Sequence, residues 1–340
     1  MDNAYPLRCQ PHFQNYLWGG RKLATRLGKQ LPAEGVWAES WEIIDHPHHQ
    51  SLVTNGSKAG QTLRQIIQQS PIWLLGPRLQ GSGVRSLPLL LKYLDCQQVL
   101  SIQVHPSDRY ALMMTPPDLG KTEAWYVLDA EPGAVLYAGL HSRVSASELR
   151  SAIVSNKLLD CLHAIYPKTG DCIFIPSGTV HALGAGLVVA EIQQASNTTF
   201  RLYDWNRVGP DGNPRPLHID QALEVTDFNS GPRPLQIPCA TSETGRDRLV
   251  ACDKFTLDRL SHVQQSDYGR DSSKGSSIFS IGGDETFHIL TAPQGGVELI
   301  GQDFQETLAQ GQSVLIPAAL RDCTARVGPG SFLLDMYIAE

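Results

Sequence analysis

Short apolar or alternating runs recur along this chain, each bounded by Gly, Pro, Asp or Ser. The segments WAESWEII, LLLKYL, VLSIQVH, AWYVLDA, AVLYAGL, DCIFIPS and LVVAEIQQ combine β-branched and aromatic residues between turn formers, so they read as strands. Helical periodicity is sparse. The best case is SASELRSAIVSNKLLDCLHAI, residues 145–165, where Ser145 or Ser147 caps the start and Leu149, Ile153, Leu158, Leu159 and Leu162 recur at helical spacing. A second helix is expected in TLRQIIQQS.

Two stretches repeat. Glu123-Ala-Trp-Tyr-Val-Leu resembles Glu285-Thr-Phe-His-Ile-Leu, and Gly170-DCIFI-Pro176 parallels Gly311-QSVLI-Pro317. The first pair of landmarks lies 47 positions apart and the second 26, a surplus of 21 that matches the predicted helix. The chain is therefore expected to be mainly β and duplicated, with a small helical insertion near 145–165 in the first copy. Residues 1–234 form the first unit with its N-terminal strands, and 235–340 the second. The runs SETGRDRL and SHVQQSDYGRDSSKGSS read as loops around the second copy.

Composition narrows the function classes. With 41% hydrophobic and 18% charged residues over 340 positions, the chain is globular and long enough for two cores. A net charge of −6 offers no broad basic face, which argues against nucleic acid as a partner. No apolar run reaches the roughly 20 residues that span a bilayer, and the N-terminus lacks a signal-peptide pattern, so a cytoplasmic protein with no membrane partner is expected. The seven cysteines are scattered, odd in number and without a CxxC pair, which argues against a disulfide framework and a thiolate zinc site, and Cys172 reads as packing. The HPHH cluster of His46, His48 and His49 reads as an exposed turn.

Chemistry concentrates in the first copy. Gln103 and His105 are two apart in VLSIQVHP, so the strand period of two points both from one face, joined by Ser101, until Pro106 ends the strand. In GDCIFIPSGTVHALG a strand ends at Pro176, a tight turn follows at Gly178, and His181 re-enters on the next strand. That spacing resembles the second motif of the cupin family, with QxH and Glu123 as a stretched first motif. The predicted fold is thus a duplicated cupin-type β-barrel, or jelly roll. Two imidazoles, a carboxylate and a carboxamide suit Zn²⁺, one per chain, or Mn, Co or Fe in its place. The second copy has Asp322 at the histidine position and no QxH before Glu285, so it is expected to be non-catalytic.

Nearly the whole chain resembles the short bacterial form of the type I mannose-6-phosphate isomerases. The resemblance rests on YLWGG, WAESWEI, LPLLLKYLDCQQVLSIQVHP, GKTEAWYVL, IPSGTVHALGAG, EIQQASNTTFRLYDWNR and PLHIDQALE, in the family's order. It implies zinc ligands at Gln103, His105, Glu123 and His181, in agreement with the residue-level choice, and a catalytic arginine at Arg201. It also implies interconversion of mannose 6-phosphate and fructose 6-phosphate through a cis-enediol. Two departures stand out: GKTE replaces the HKPE of longer forms, putting Gly120 where they carry histidine, and their large helical domain is reduced to about one helix pair.

For the proton transfer, the resemblance leaves Lys121 and Glu191 as the two candidates, Glu191 also being a candidate orienter of the ligands. Ser101, Arg201 and Arg207 are candidate phosphate donors, since a guanidinium fork matches phosphate. Lys92 and Trp18 are further lining candidates, with Trp37 and Trp41 beside them, and Glu39 and Glu42 point to opposite strand faces. The expected partner is a small sugar phosphate, and the expected assembly a monomer or weak homodimer. The competing readings are a binding-only cupin sensor of sugar phosphates, which would normally carry a DNA-binding or partner module, and another cupin sugar isomerase or oxygenase.

Overall fold

In the computed structural model, which describes residues 3–81, 83–209, 212–263 and 275–338, Leu89–Cys96 and Leu187–Gln194 lie side by side with every residue buried. A strand covered on both faces has no solvent side, which is why neither run alternates. They centre a six-stranded antiparallel sheet, flanked by Glu123–Ala130 and Cys172–Ile175 on one side and Glu39–Ile43 and His12–Gln14 on the other. One face of this sheet, with Leu89, Leu91, Tyr93, Val188 and Ile192, enters a core shared with Leu257, Ile289, Leu315 and Met336 of the second unit. The opposite face meets a five-stranded sheet of order Leu162–Ile165, Leu136–Leu140, His181–Leu183, Ile102–Val104, Phe200–Tyr203. The polar residues Lys92, Glu191 and Gln193 alternate with those apolar positions and so point between the two sheets.

The second unit repeats this pairing of a large and a small sheet. Its large sheet runs Ser313–Ile316, His288–Gln294, Phe332–Tyr337, Thr256–Ser261, Arg246–Ala251, and its small one Ser277–Ile281, Cys323–Val327, Val297–Gly301, Gln305–Leu308. The architecture is the duplicated, mainly β cupin type. Leu7–Arg8, expected with the first unit, instead pairs with Val314 and Leu315 and covers an edge of the second sheet. Residues 264–274 of the predicted polar loop lie outside the described residues.

The predicted long helix is shorter than its apolar spacing implied. Ser145 caps Ala146–Val154 through a capping box with Glu148, and Asn156 then turns to φ +56°. Residues 158–161 form a 3₁₀ turn and Leu162–Ile165 is a strand, so Leu158 and Leu162 belong to different elements. Leu149, Ile153, Leu158 and Leu162 still face one core with Ile102, Val104, Val180 and Ala182, whereas Leu159, expected on the same face, is exposed; the insertion thus backs the sheet that carries the candidate ligands. Leu63–Gln69 is helical as expected, capped by Thr62. No helix among the described residues is long and apolar enough to cross a membrane.

Strand register corrects the internal repeat by three residues. Glu123 lies opposite Ile175, just before Pro176, whereas Ile316, just before Pro317, lies opposite His288 and not Glu285. Carrying that alignment across the sheets pairs Glu191 with Asp335, Lys92 with Asp258 and Glu39 with Arg246. The register shift after Trp41 recurs after Arg248. The second unit therefore keeps an interior charge cluster at the matching positions, with the signs largely inverted. Glu285 and Asp322 are exposed.

In that cluster His288 is buried, with Nδ1 2.7 Å from Asp335 Oδ1 and Nε2 3.1 Å from Asp284 Oδ1. Burial alone would lower its pKa, but the Asp335 and Asp284 carboxylates outweigh it and raise the value from 6.5 to about 9. Because the folded value lies above the unfolded one, this contribution is fully present below about pH 6.5 and fades as pH rises through about 9. Urea unfolding should show a loss on the order of 3 kcal/mol across that window that is much reduced in His288→Gln. Parallel pH curves for the two proteins would contradict the assignment.

Candidate active site

Four strands and one turn converge on a single point. On Ile102–Val104 the two branched residues face the insertion core, leaving Gln103 on the interior face. Gln103 lies directly opposite His181 on one neighbouring strand and Arg201 on the other, so these side chains share that face. The turn before His181 requires glycine: Gly178 has φ +84°, and its N–H donates to the His105 carbonyl at 2.8 Å. Glu123 opens its strand from the facing sheet.

His105, Glu123 and His181, all buried, bring one potential ligand atom each within 4.8 Å of one another. Each imidazole donates Nδ1–H to a backbone carbonyl, His105 to Thr198 at 2.9 Å and His181 to Thr179 at 2.8 Å. A carbonyl only accepts, so both Nε2 atoms keep a lone pair, and both face Glu123, at 3.4 and 3.3 Å. Burial, before any charge, pushes His105 well below the usual histidine range and His181 down to about 4, leaving both neutral at pH 7. Gln103 turns its amide nitrogen to within 3.3 Å of His181 Nε2, while Ser101 Oγ donates to its Oε1 at 3.1 Å.

Charge around this point is out of balance. Lys121 Nζ lies 2.8 Å from Glu123 Oε2, 3.0 Å from His105 Nε2 and 3.5 Å from Glu191 Oε1. Lys92 Nζ lies 3.3 Å from Glu191 Oε1 and 3.6 Å from Glu39 Oε2. Two ammonium groups thus face three buried carboxylates. Burial and then the Glu191 charge hold the Glu123 pKa up, to about 7, whereas for Glu191 the two lysines overcome burial and hold it down. A divalent cation fits this donor set: two neutral imidazoles oriented by carbonyls, a carboxylate short of positive charge, and a carboxamide one rotation from presenting its oxygen.

The remaining predicted residues divide into two groups. Lys121, Lys92 and Glu191 gather around the triad, Ser101 reaches it through Gln103, and Arg201 is related to it by its register opposite Gln103. Arg201 donates from Nη1 to the Pro216 carbonyl at 3.0 Å, and its Nε is buried without a partner. Trp18 and Arg207 instead line a cavity of about 510 Å³ together with Tyr16, Asp204, Arg215 and Pro216. None of the triad lines that cavity, but Pro216 links it to Arg201, and the Tyr16 phenol, raised by burial and then Glu39, also feels Lys92. Arg207 is fixed by the Val99 carbonyl at 2.7 Å and by Asp204, which also holds Arg215. Trp41 donates to Glu39 within the charge cluster, whereas Trp37 packs outside it.

Some residues escaped the sequence reading. Asp204 lies within EIQQASNTTFRLYDWNR and Arg215 just before PLHIDQALE, and no local spacing marks either. His46 is not exposed as expected: it is buried, with Nε2 3.6 Å from Asp118 Oδ1. Gly120 is fixed by space, since a Cβ there would lie 2.4 Å from the Asp108 nitrogen.

Comparison with known proteins places this arrangement. Residues 6–123 match the catalytic domain of phosphomannose isomerase type I. The mannose-6-phosphate isomerase ManA of Bacillus subtilis is 33% identical over 333 residues, covering 98% of this chain and 96% of that enzyme. The mannose-6-phosphate isomerase of Streptococcus mutans is 40% identical over 223 residues, covering 65% of this chain and 68% of its own. In structure, the Bacillus subtilis mannose 6-phosphate isomerase superposes with a TM-score of 0.85 at 30% identity, covering 98% of this chain and 99% of that one. A phosphomannose isomerase variant from Salmonella typhimurium, at 18% identity and a TM-score of 0.75, shares the fold. With a relative this similar over its full length, and with the His–Glu–His cluster where two sheets meet, the chain belongs to the type I mannose-6-phosphate isomerase family.

Proposed function

We propose that this chain interconverts mannose 6-phosphate and fructose 6-phosphate in the cytoplasm, as a monomer or weak homodimer, with one zinc ion held by Gln103, His105, Glu123 and His181. The observation that carries the reading is the pair of buried neutral imidazoles whose Nε2 atoms converge on an under-neutralised Glu123. When bound, the metal supplies Lewis-acid stabilisation of the oxygen on which charge develops as a cis-enediol forms. The chain's own residues do the rest. Arg201, on the face shared with Gln103, adds a second fixed positive charge for that oxygen. Lys121 and Glu191, 3.5 Å apart, are the groups able to move the proton between C1 and C2, and Lys92 fixes the Glu191 carboxylate for either role.

Phosphate recognition falls to the cavity side. Arg207, supported by Asp204 and flanked by Arg215, presents a guanidinium beside Trp18, and Ser101 bridges toward the ligand set. Following mannose 6-phosphate by proton NMR should show fructose 6-phosphate accumulating, with unphosphorylated mannose left unchanged. Arg207→Ala should raise KM about 10-fold with little change in kcat, the pattern of lost uniform binding. Binding of mannose 6-phosphate without conversion would instead support a sensor.

A further inference from the structure

The two segments that carry the site are tied together by one carboxylate outside it. Asp118 lies five residues before Glu123 and three before Lys121. Its Oδ2 accepts from Thr198 Oγ1 at 2.6 Å and from Ser196 Oγ at 2.9 Å. Its Oδ1 accepts the Leu119 N–H at 2.8 Å and faces His46 Nε2 at 3.6 Å. The His46 ring is oriented for this, since its Nδ1 accepts the His48 N–H and so leaves the proton on Nε2. Thr198 is the residue whose carbonyl receives His105 Nδ1–H, and the Thr198 N–H donates back to Ser196 Oγ. The loop after Leu187–Gln194 is further held by Gln193 Nε2, which donates to the Ser196 carbonyl at 2.7 Å. Gln193 lies opposite Glu123 in register.

We propose that Asp118 is a positioning residue for the metal centre, acting through the Thr198 hydroxyl to fix the carbonyl that orients His105, with His46 completing its surroundings. The inference rests on the metal-centre reading above. Freed from Asp118, the Thr198 peptide would lose its anchor, and the His105 ring would lose the restraint that aims Nε2 at Glu123. Charge-assisted hydrogen bonds at 2.6 and 2.9 Å are strong enough to hold such a loop, and groups that orient metal-bound histidines typically govern metal affinity by about 10- to 100-fold.

The test is zinc affinity of the metal-stripped protein, measured by competition with a chromophoric chelator, alongside the visible spectrum of the cobalt form. Asp118→Asn and Thr198→Val should each bind zinc about 10- to 100-fold more weakly. Thr198→Ser, which keeps hydroxyl and carbonyl, should match the wild type. The double variant should bind no more weakly than the worse single one, because both remove the same link. Saturating zinc should restore kcat in Asp118→Asn with KM unchanged. If Asp118→Asn does not fold, Thr198→Val against Thr198→Ser decides the matter alone. Wild-type zinc affinity in Thr198→Val, or equal losses in the valine and serine variants, would overturn the positioning role while leaving the metal centre intact. A wild-type protein that takes up no zinc would bring down both.

Discussion

Replacing His181 with alanine should yield a folded protein that retains no stoichiometric metal and has no measurable turnover. His181 is fully buried, sits between Gln103 and Glu123, and offers Nε2 while Nδ1 is committed to the Thr179 carbonyl. Loss of a group behind a ligand already costs about 10- to 100-fold in affinity, so loss of a ligand should exceed that. The fold should survive because Val180 and Ala182, on the other strand face, keep their packing against the insertion. Elemental analysis with circular dichroism reads both properties. Full metal occupancy with normal activity would show that the ligands lie elsewhere.

Arg201→Ala should keep metal and fold but lose about 10²- to 10³-fold in kcat, the usual cost of removing a preorganised donor at a developing oxyanion. Its position supports this: it faces the interior beside Gln103, and its Nε is buried with no acceptor, an arrangement that costs free energy unless a ligand completes it. Burial, then the neighbouring Arg215, lowers its pKa, as expected for a cation held in a poorly solvated place. If Arg201 only braces Pro216, removal should cost about 0–1 kcal/mol of stability and spare the chemistry. Near-normal kcat with a slightly lower Tm would establish that lesser role.

Strand-local information made much of the site legible. Gln103 and His105 are related by a two-residue period, and His181 by the length of a turn, so both could be read along the chain. What long-range register decides could not. The match between the runs beginning at Glu123 and Glu285 followed residue identity, whereas the sheets align Glu123 with His288, because strand pairing obeys the facing sheet and the proline after Ile316. His46 and Asp118, 72 positions apart, meet only in the folded chain, and an HPHH sequence gives no sign of which ring turns inward. The helix over 145–165 was overextended because leucines four apart serve equally a helix, a 3₁₀ turn and a strand entering one core.

Metal-dependent isomerisation is tested most directly by one titration. The protein is stripped with a chelator, zinc is returned in increments, and conversion of mannose 6-phosphate to fructose 6-phosphate is followed at each point. Activity should fall to background on stripping and rise linearly to a break at one zinc per chain. Full activity in the stripped protein, or metal uptake that never restores conversion, would contradict the account.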